Sequence, residues 1–281
     1  MKKLVFIGAG SMAEALISGI IENKLLSSEN IWVTNRQDLT KLDRLRAVYN
    51  VNTTYNYDEM FADADTVILA MKPKDAAAAI AEIKAYLTPG LLIVSVLAGI
   101  SIETIEKTAG KSLAVVRAMP NTSAAISKSA TALAMNQNVT AAQMDQARQL
   151  FDTVGFTAHV KEEQLDAVTG LSGSGPAYIY YLVEAMEQSA REIGLEQQLA
   201  KDLIVQTLLG AAEMVAKSEK PPEQLRLEVT SPGGTTEAGI RVLEQHGVQR
   251  AFISCIKEAC AQSKKLGNML GNDAVRVRRL S

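Results

Sequence analysis

Cysteine and histidine are scarce in this sequence, two of each among 281 residues. Cys255 and Cys260 stand five apart on a predicted helix, a spacing that turns them away from one another. With no metal-ligand cluster around them, they read as free thiols of a cytoplasmic protein. His159 and His246 enter no zinc-ligand spacing, and no metal centre is expected. An excess of charge of one sign is also lacking. A formal net charge of −2 argues against a nucleic-acid partner, which would call for a concentrated basic face. Long apolar runs are missing as well. The longest, residues 66–71 and 91–97, fall far short of the roughly 20 residues that cross a bilayer, so no membrane association is expected. The first residues have no signal-peptide layout, because Ile7 is followed at once by glycines and by Glu14. What remains is ordinary for a globular protein, with 47% hydrophobic and 21% charged residues, and the length allows two domains and a substantial core.

The chain is organised around its first 36 residues. The apolar run Leu4-Val5-Phe6-Ile7 meets Gly8-Ala9-Gly10-Ser11-Met12-Ala13. A helical pattern follows, with Met12, Leu16 and Ile20 four apart and Ile17 and Ile21 beside them, and then a second apolar run, Ile31 to Thr34. Strand, glycine turn, helix and strand form the setting that a dinucleotide fingerprint requires. Gly8 permits the tight turn, Gly10 lets backbone approach a pyrophosphate, and Ala13 lets helix and strand pack closely. The helix start then offers unpaired N–H groups to an anion. The alternative is a plain glycine turn with no ligand. After the second strand, an acidic residue would accept hydrogen bonds from an NAD ribose; this chain has Thr34-Asn35-Arg36 instead. A cation beside neutral donors suits a ribose 2′-phosphate, which favours NADPH over NADH, unless Arg36 is an ordinary solvated surface charge.

Alternating signals continue to about residue 160. Helices are predicted over 39–49, 75–86, 102–107 and 141–154, and strands over 51–54, 66–70, 91–95, 113–117, 129–135 and 157–160. Met71-Lys72-Pro73 and Gly99 each lie just beyond the end of a predicted parallel strand, where open α/β sheets bind ligands. Gly155 is placed as a residue ending a helix. From Lys161 on, no convincing strand remains. Helices are predicted over 162–171, with a break at Ser172-Gly-Ser-Gly-Pro176, then over 177–193, 196–217, 222–229, 235–245 and 248–266. Pro176 after small residues reads as a packing device at a first helical turn. The expected fold is α/β, an N-terminal Rossmann-type doubly wound sheet over residues 1–160 followed by an all-helical domain over 161–270. A loose, solvated tail carrying Arg276, Arg278 and Arg279 is expected over 271–281. The predicted helices 177–193 and 196–217 are apolar nearly all round, through Tyr180, Tyr181, Leu203, Leu208 and their neighbours. A subunit interface is the simplest account, so a homodimer at least is expected.

A second glycine turn stands in the helical half: Val229-Thr-Ser-Pro-Gly-Gly-Thr-Thr236, immediately before a helix. Freed N–H groups at a helix start, with the hydroxyls of Ser231, Thr235 and Thr236 beside them, make a nest for an anion such as a small carboxylate. The alternative is a capped loop whose glycines serve geometry alone. Glu237, in the first turn of that helix, reads as a cap and dipole partner rather than a proton donor.

Taken together, Gly8-Ala-Gly-Ser-Met12, Lys72-Pro73, Arg117-Ala-Met-Pro-Asn-Thr122, Leu171-Ser-Gly-Ser-Gly-Pro-Ala-Tyr178 and Val229-Thr-Ser-Pro-Gly-Gly-Thr-Thr236 resemble the pyrroline-5-carboxylate reductase family from residue 1 to about 270. No motif position departs from the pattern. The resemblance implies NAD(P)H-dependent reduction of 1-pyrroline-5-carboxylate to L-proline, the last step of proline biosynthesis; with Arg36 after the second strand, NADPH is the expected cofactor and NADH a possible one. It implies a cofactor lying along Gly8, Gly10, Ser11 and Met12, Asn35 and Arg36, Met71, Lys72 and Pro73, and Ala98 and Gly99. It also implies a substrate carboxylate held by backbone N–H groups of Gly233, Gly234, Thr235 and Thr236, with Ser231 nearby and the Thr236 hydroxyl reaching the ring nitrogen as the catalytic contact. In the family the second loop comes from the partner subunit, and interlocked dimers often assemble into rings, commonly decamers.

Other readings keep the same plan. A hydroxyacid dehydrogenase or a reductase of a related cyclic imine would share both domains, but the hydroxyacid enzymes are known for a lysine in the interdomain helix, and residues 177–193 contain none. A ketol-type nucleotide-binding protein and a non-enzymatic nucleotide sensor are further rivals. A sensor would have no need of the second glycine site.

Overall fold

The computed structural model describes the backbone of residues 1–278 and the side chains through Met269. Its strands come first from apolar runs. β1 (Leu4–Ile7), β2 (Ile31–Thr34), β4 (Thr66–Leu69) and β5 (Leu92–Ser95) are apolar on both faces and nearly all buried, as parallel strands covered on both sides must be. Alternation along each strand divides their side chains between two layers. Leu4, Phe6, Ile68 and Val94 pack with Leu16, Ile17 and Ile20 of α1 (Ser11–Glu22), with Leu42 and Leu45 of α2 (Leu39–Tyr49), and with Leu150 and Phe151 of α6 (Ala141–Asp152). Val5, Ile7, Val67 and Ile93 pack on the opposite face. Their partners are Met60 of α3 (Tyr57–Phe61), Ile80 and Ile83 of α4 (Ala76–Ile83), and Ile102 and Ile105 of α5 (Ile102–Ala109). Each such aliphatic side chain, fully buried, contributes about 1.5–3 kcal/mol. The result is a doubly wound sheet.

The sheet has eight strands in the order β3-β2-β1-β4-β5-β6-β7-β8, with β3 at Asn52–Thr53, β6 at Ala114–Met119, β7 at Ser129–Met135 and β8 at Gly155–His159. The first six follow the dinucleotide-binding order. β7 runs antiparallel to β6, and β8 runs parallel to β7. The order reverses at β1, so the turns after β1, β2, β4 and β5 gather at one edge of the sheet.

The remaining helices are α7 (Leu165–Val168), α8 (Gly175–Glu192), α9 (Gln197–Lys217), α10 (Pro222–Glu228), α11 (Thr235–Gln245) and α12 (Val248–Arg278). Three features differ from the sequence expectations. Gly155 does not end a helix; it opens β8 at φ 148°, where an added Cβ would strike the Ser129 backbone of β7. Close strand approach, not helix termination, fixes glycine there. The break at 172–176 is a π-helical turn over Thr169–Gly173 leading directly into α8, with Pro176 in that helix's first turn, where its missing N–H costs nothing. Finally, α12 continues past the expected end near residue 266. The loose tail expected over 271–281 falls on positions whose side chains, or for 279–281 whose backbone, lie outside the described residues.

The chain divides into two compact units that do not follow sequence order: residues 1–176 with those from Glu258 on, and residues 177–257. The first holds the sheet. Its helical segment α7 joins the sheet through Leu165, which packs with Ala132 and Ala134 of β7, and Asp166 accepts a 2.6 Å hydrogen bond from the buried Ser263 hydroxyl of α12. The second unit holds most of α8, then α9, α10, α11 and the start of α12. Within it the Tyr178 and Phe252 rings meet edge to face at 6.0 Å. Many of its large apolar side chains are exposed in the single chain, among them Tyr181 at 73%, Leu203, Leu209 and Met214. Among the described residues no helix is long and apolar enough to cross a membrane.

Candidate active site

Glycine N-caps mark two places in the molecule, although α4, α7 and α10 also start without a side-chain cap. Helices α2, α3, α5, α6 and α9 begin behind side-chain caps from Asp38, Asn56, Ser101, Thr140 and Glu196. Helices α1 and α11 begin on Gly10 and Gly234, which supply no side-chain cap and leave first-turn N–H groups for another acceptor.

The first place lies in the sheet unit. Gly8 leaves β1 at φ 114°, and its N–H donates to Thr34 O of β2 at 2.9 Å. An added Cβ at Gly8 would stand 2.5 Å from the Ala70 carbonyl and 2.6 Å from Met71 N, because the chain leaving β4 crosses directly over it. Gly10 differs: a Cβ there would meet only Ala70 O, at 3.9 Å. Protein therefore demands glycine at Gly8, whereas Gly10, Ser11 and their helix start face open space, as a phosphate cradle requires. Ala13 is fully buried against the sheet. Met71, Lys72 and Pro73 follow β4, with Lys72 extended and Pro73 opening a short 3₁₀ turn through Asp75. Ala98 and Gly99 follow β5. The predicted cofactor residues are thus gathered along one strand-end edge.

Two of them have partners that the sequence did not reveal. The Asn35 amide is committed to its own turn, donating to Asp38 O at 2.6 Å and accepting from Asp38 N at 2.8 Å, with the Tyr55 hydroxyl at 3.1 Å. Arg36 is 82% exposed, and its guanidinium lies 3.7 Å from Asp75. Just before Asn35 and Arg36, at the end of β2, Thr34 has a buried hydroxyl without a partner. Deeper in the unit, Glu162 accepts from Arg117 at 2.9 Å and from Ile102 N, at the start of α5, at 2.8 Å. Asn121 donates to Ser172 O at 3.0 Å. The segments 117–122 and 171–176, far apart in sequence, are therefore neighbours that brace the sheet edge.

The second place lies in the helical unit. Gly233 turns at φ 71°, and its N–H donates to the Glu237 carboxylate at 2.8 Å. Gly234 N donates to Ser231 O at 3.0 Å, and a Cβ on Gly234 would stand 2.9 Å from that oxygen. Glu237 is thus a cap partner in this structure. With both glycine N–H groups engaged inside the loop, the amides of Thr235 and Thr236 head α11, and Ser231, Thr235 and Thr236 are all exposed. No strong acid stands in the loop besides Glu237.

Comparison with known proteins adds to this geometry. Residues 162–266 match a family model described as pyrroline-5-carboxylate reductase dimerisation, and residues 3–99 match one described as NADP oxidoreductase, coenzyme F420-dependent. The chain is 46% identical to pyrroline-5-carboxylate reductase 2 of Bacillus subtilis, over 98% of this chain and 99% of that protein. Among solved structures, it resembles a pyrroline-5-carboxylate reductase from Coxiella burnetii at TM-score 0.86 and 38% identity, over 94% of this chain and 98% of that one. A Plasmodium falciparum pyrroline carboxylate reductase with NADP bound superposes at TM-score 0.86 and 30% identity, over the same shares of the two chains. A glycine-led helix start in each unit, in a sequence related to these proteins along almost its whole length, has one consistent account: the chain belongs to the pyrroline-5-carboxylate reductase family.

Proposed function

We propose that this protein reduces 1-pyrroline-5-carboxylate to L-proline with NADPH, the closing step of proline biosynthesis, and that NADH is a weaker donor. The observation that carries the reading is the pair of uncapped glycine helix starts, at Gly10 and Gly234, one suited to a pyrophosphate and one to a carboxylate. The NADP recorded in the Plasmodium falciparum relative supports the same donor here.

The residues divide the work. Gly8 keeps the β1 turn tight beneath the Ala70–Met71 crossing, so that the N–H groups of Gly10, Ser11 and Met12 stand free for phosphate. Asn35 shapes the β2 turn and presents Arg36 to a 2′-phosphate. Met71, Lys72 and Pro73 with Ala98 and Gly99 line the strand ends towards the nicotinamide. When bound, the reduced nicotinamide supplies a hydride from C4 to C5 of the pyrroline ring, and the C=N electron pair passes to nitrogen. That carbon is electrophilic once the nitrogen is protonated, and the iminium forms in water at moderately acidic to neutral pH. A loop offering only hydroxyls and amides therefore suffices: Thr235 and Thr236 N–H groups hold the carboxylate beside Gly233 and Gly234, Ser231 borders it, and the Thr236 hydroxyl accepts from the ring N–H. Catalysis rests on holding the two carbons in contact.

The active protein is a homodimer built through residues 161–270, whose exposed apolar helices need a cover, and each loop 231–236 serves the partner's cofactor. Dimers assemble further into a decamer, in the cytoplasm. The test is NADPH oxidation with 1-pyrroline-5-carboxylate and chromatographic detection of proline. No proline-linked oxidation by purified protein would overturn the assignment. Light scattering reads the assembly.

A further inference from the structure

Gly99 stands at the tip of the turn between β5 and α5 with φ 76°. Gly99 is among the residues proposed to line the cofactor, and its packing gives its bare backbone a further role. The three atoms nearest to a Cβ on Gly99 would all be backbone of α12: Gly267 N at 3.1 Å, Gly267 Cα at 3.2 Å and Leu266 C at 3.7 Å. The contact is reciprocal, since a Cβ on Gly267 would stand 2.7 Å from Gly99 O and 3.4 Å from Gly99 C and Cα. Helix and loop therefore touch backbone to backbone: a Cβ is excluded at Gly267 as it stands and is tight at Gly99, where φ 76° also disfavours one. One turn earlier on α12, the buried Ser263 hydroxyl is anchored to Asp166 at 2.6 Å, which fixes the same part of the helix against the sheet unit. The far end of the loop is held too, by the Ser101 cap on Thr104 N at 3.1 Å and by Glu162 on Ile102 N at 2.8 Å. That leaves the tip, Ala98–Gly99, braced by α12.

We infer that Gly267 is a positioning residue of the dinucleotide site: its bare backbone lets α12 seat against Gly99 and so sets where the Ala98–Gly99 tip meets the cofactor. This rests on the proposed placement of the dinucleotide along that tip. An added methyl at Gly267 must push Gly99 O outward by several tenths of an ångström, because 2.7 Å is closer than a Cβ and a carbonyl oxygen can stand.

The test is Gly267→Ala in the full chain, titrated with NADPH by its fluorescence and assayed with 1-pyrroline-5-carboxylate at saturating NADPH. The expected result is an NADPH Kd raised about ten-fold, the scale on which small misplacements act, with the KM for the pyrroline within two-fold of wild type. An NADPH Kd within two-fold of wild type overturns the inference. So does an equal loss in both constants alongside a lowered Tm, which would mark a general structural defect. Should Gly267→Ala fail to fold, Ser263→Ala releases the same stretch of α12 more gently. It is expected to raise the NADPH Kd in the same direction, and an unchanged Kd there overturns the inference as well. Wild-type protein that does not bind NADPH would instead refute the dinucleotide placement itself, so the two failures are distinguishable.

Discussion

Replacing Arg36 with alanine is the sharpest probe of the cofactor reading. The guanidinium leaves the end of β2 at 82% exposure, and its nearest carboxylate is Asp75 at 3.7 Å. Two unit charges at 4 Å interact by about 1 kcal/mol in bulk water and about 4 kcal/mol at an effective dielectric of 20. So exposed a side chain belongs near the lower figure, and a charge-assisted hydrogen bond to phosphate adds to it only in part. A loss of about 1–2 kcal/mol follows, a roughly 5- to 30-fold fall in kcat/KM for NADPH. NADH lacks the 2′-phosphate, so its kcat/KM stays within about two-fold of wild type by the same reasoning. Asp75→Asn should act oppositely, because it removes an anion standing beside the phosphate's partner; NADPH then gains several-fold while NADH is unmoved. Both effects shrink at high salt, as exposed charge interactions are screened. The assay is initial-rate kinetics with each nucleotide at saturating 1-pyrroline-5-carboxylate. If Arg36→Ala leaves the NADPH constants unchanged, or lowers both nucleotides equally, the 2′-phosphate reading of this residue is wrong.

The remaining predictions concern the second loop and two structural positions. Gly234→Val should abolish reduction, since its Cβ would stand 2.9 Å from Ser231 O and its methyls would reach the proposed carboxylate position; normal kinetics would remove the loop from the proposed active site. Thr236→Ala should lower turnover roughly 2- to 10-fold, the net worth of one hydrogen bond to a ring nitrogen whose charge is discharged as the hydride arrives; a loss of a thousand-fold would mean that Thr236 does more than accept a hydrogen bond. Burial alone would raise the Glu14 carboxyl, but hydrogen bonds and charge from Lys41 and Arg44 outweigh it and hold the group below its usual 4.5. A depressed carboxylate stabilises the fold above that usual value and loses the contribution as pH falls through its folded-state value. Melting temperatures of wild type and Glu14→Gln should therefore differ at neutral pH and converge in acid; a gap independent of pH would contradict this. Gly155→Ala should cost at least about 2 kcal/mol by urea denaturation, because it combines backbone strain with a collision against the Ser129 backbone.

Much of this protein was legible before folding was considered. Four-residue apolar runs mark strands buried on both faces, because only a sheet covered on both sides shelters every side chain. Gly8 to Ala13 marks the first helix start, and Ser231 to Thr236 marks the second, because each signal lies in a few consecutive residues. The apolar circumference of the helices after Pro176 pointed to a partner surface for the same reason.

Tertiary structure decided whatever depended on residues distant in sequence. Nothing in Ser129 to Met135 announces that β7 runs against β6. Gly155 looked like a helix terminator because helix and glycine were adjacent, but the atom that excludes a side chain there belongs to Ser129. Glycine at 99 lies against the Gly267 backbone of α12, and the exposed Arg36 acquires a carboxylate neighbour only when the turn after β4 is placed beside β2. The opening motif announces a phosphate site from its own residues, since tight turns and helix starts are local. Which backbone meets a missing Cβ, and which charge faces which, is a property of neighbours that only folding brings together.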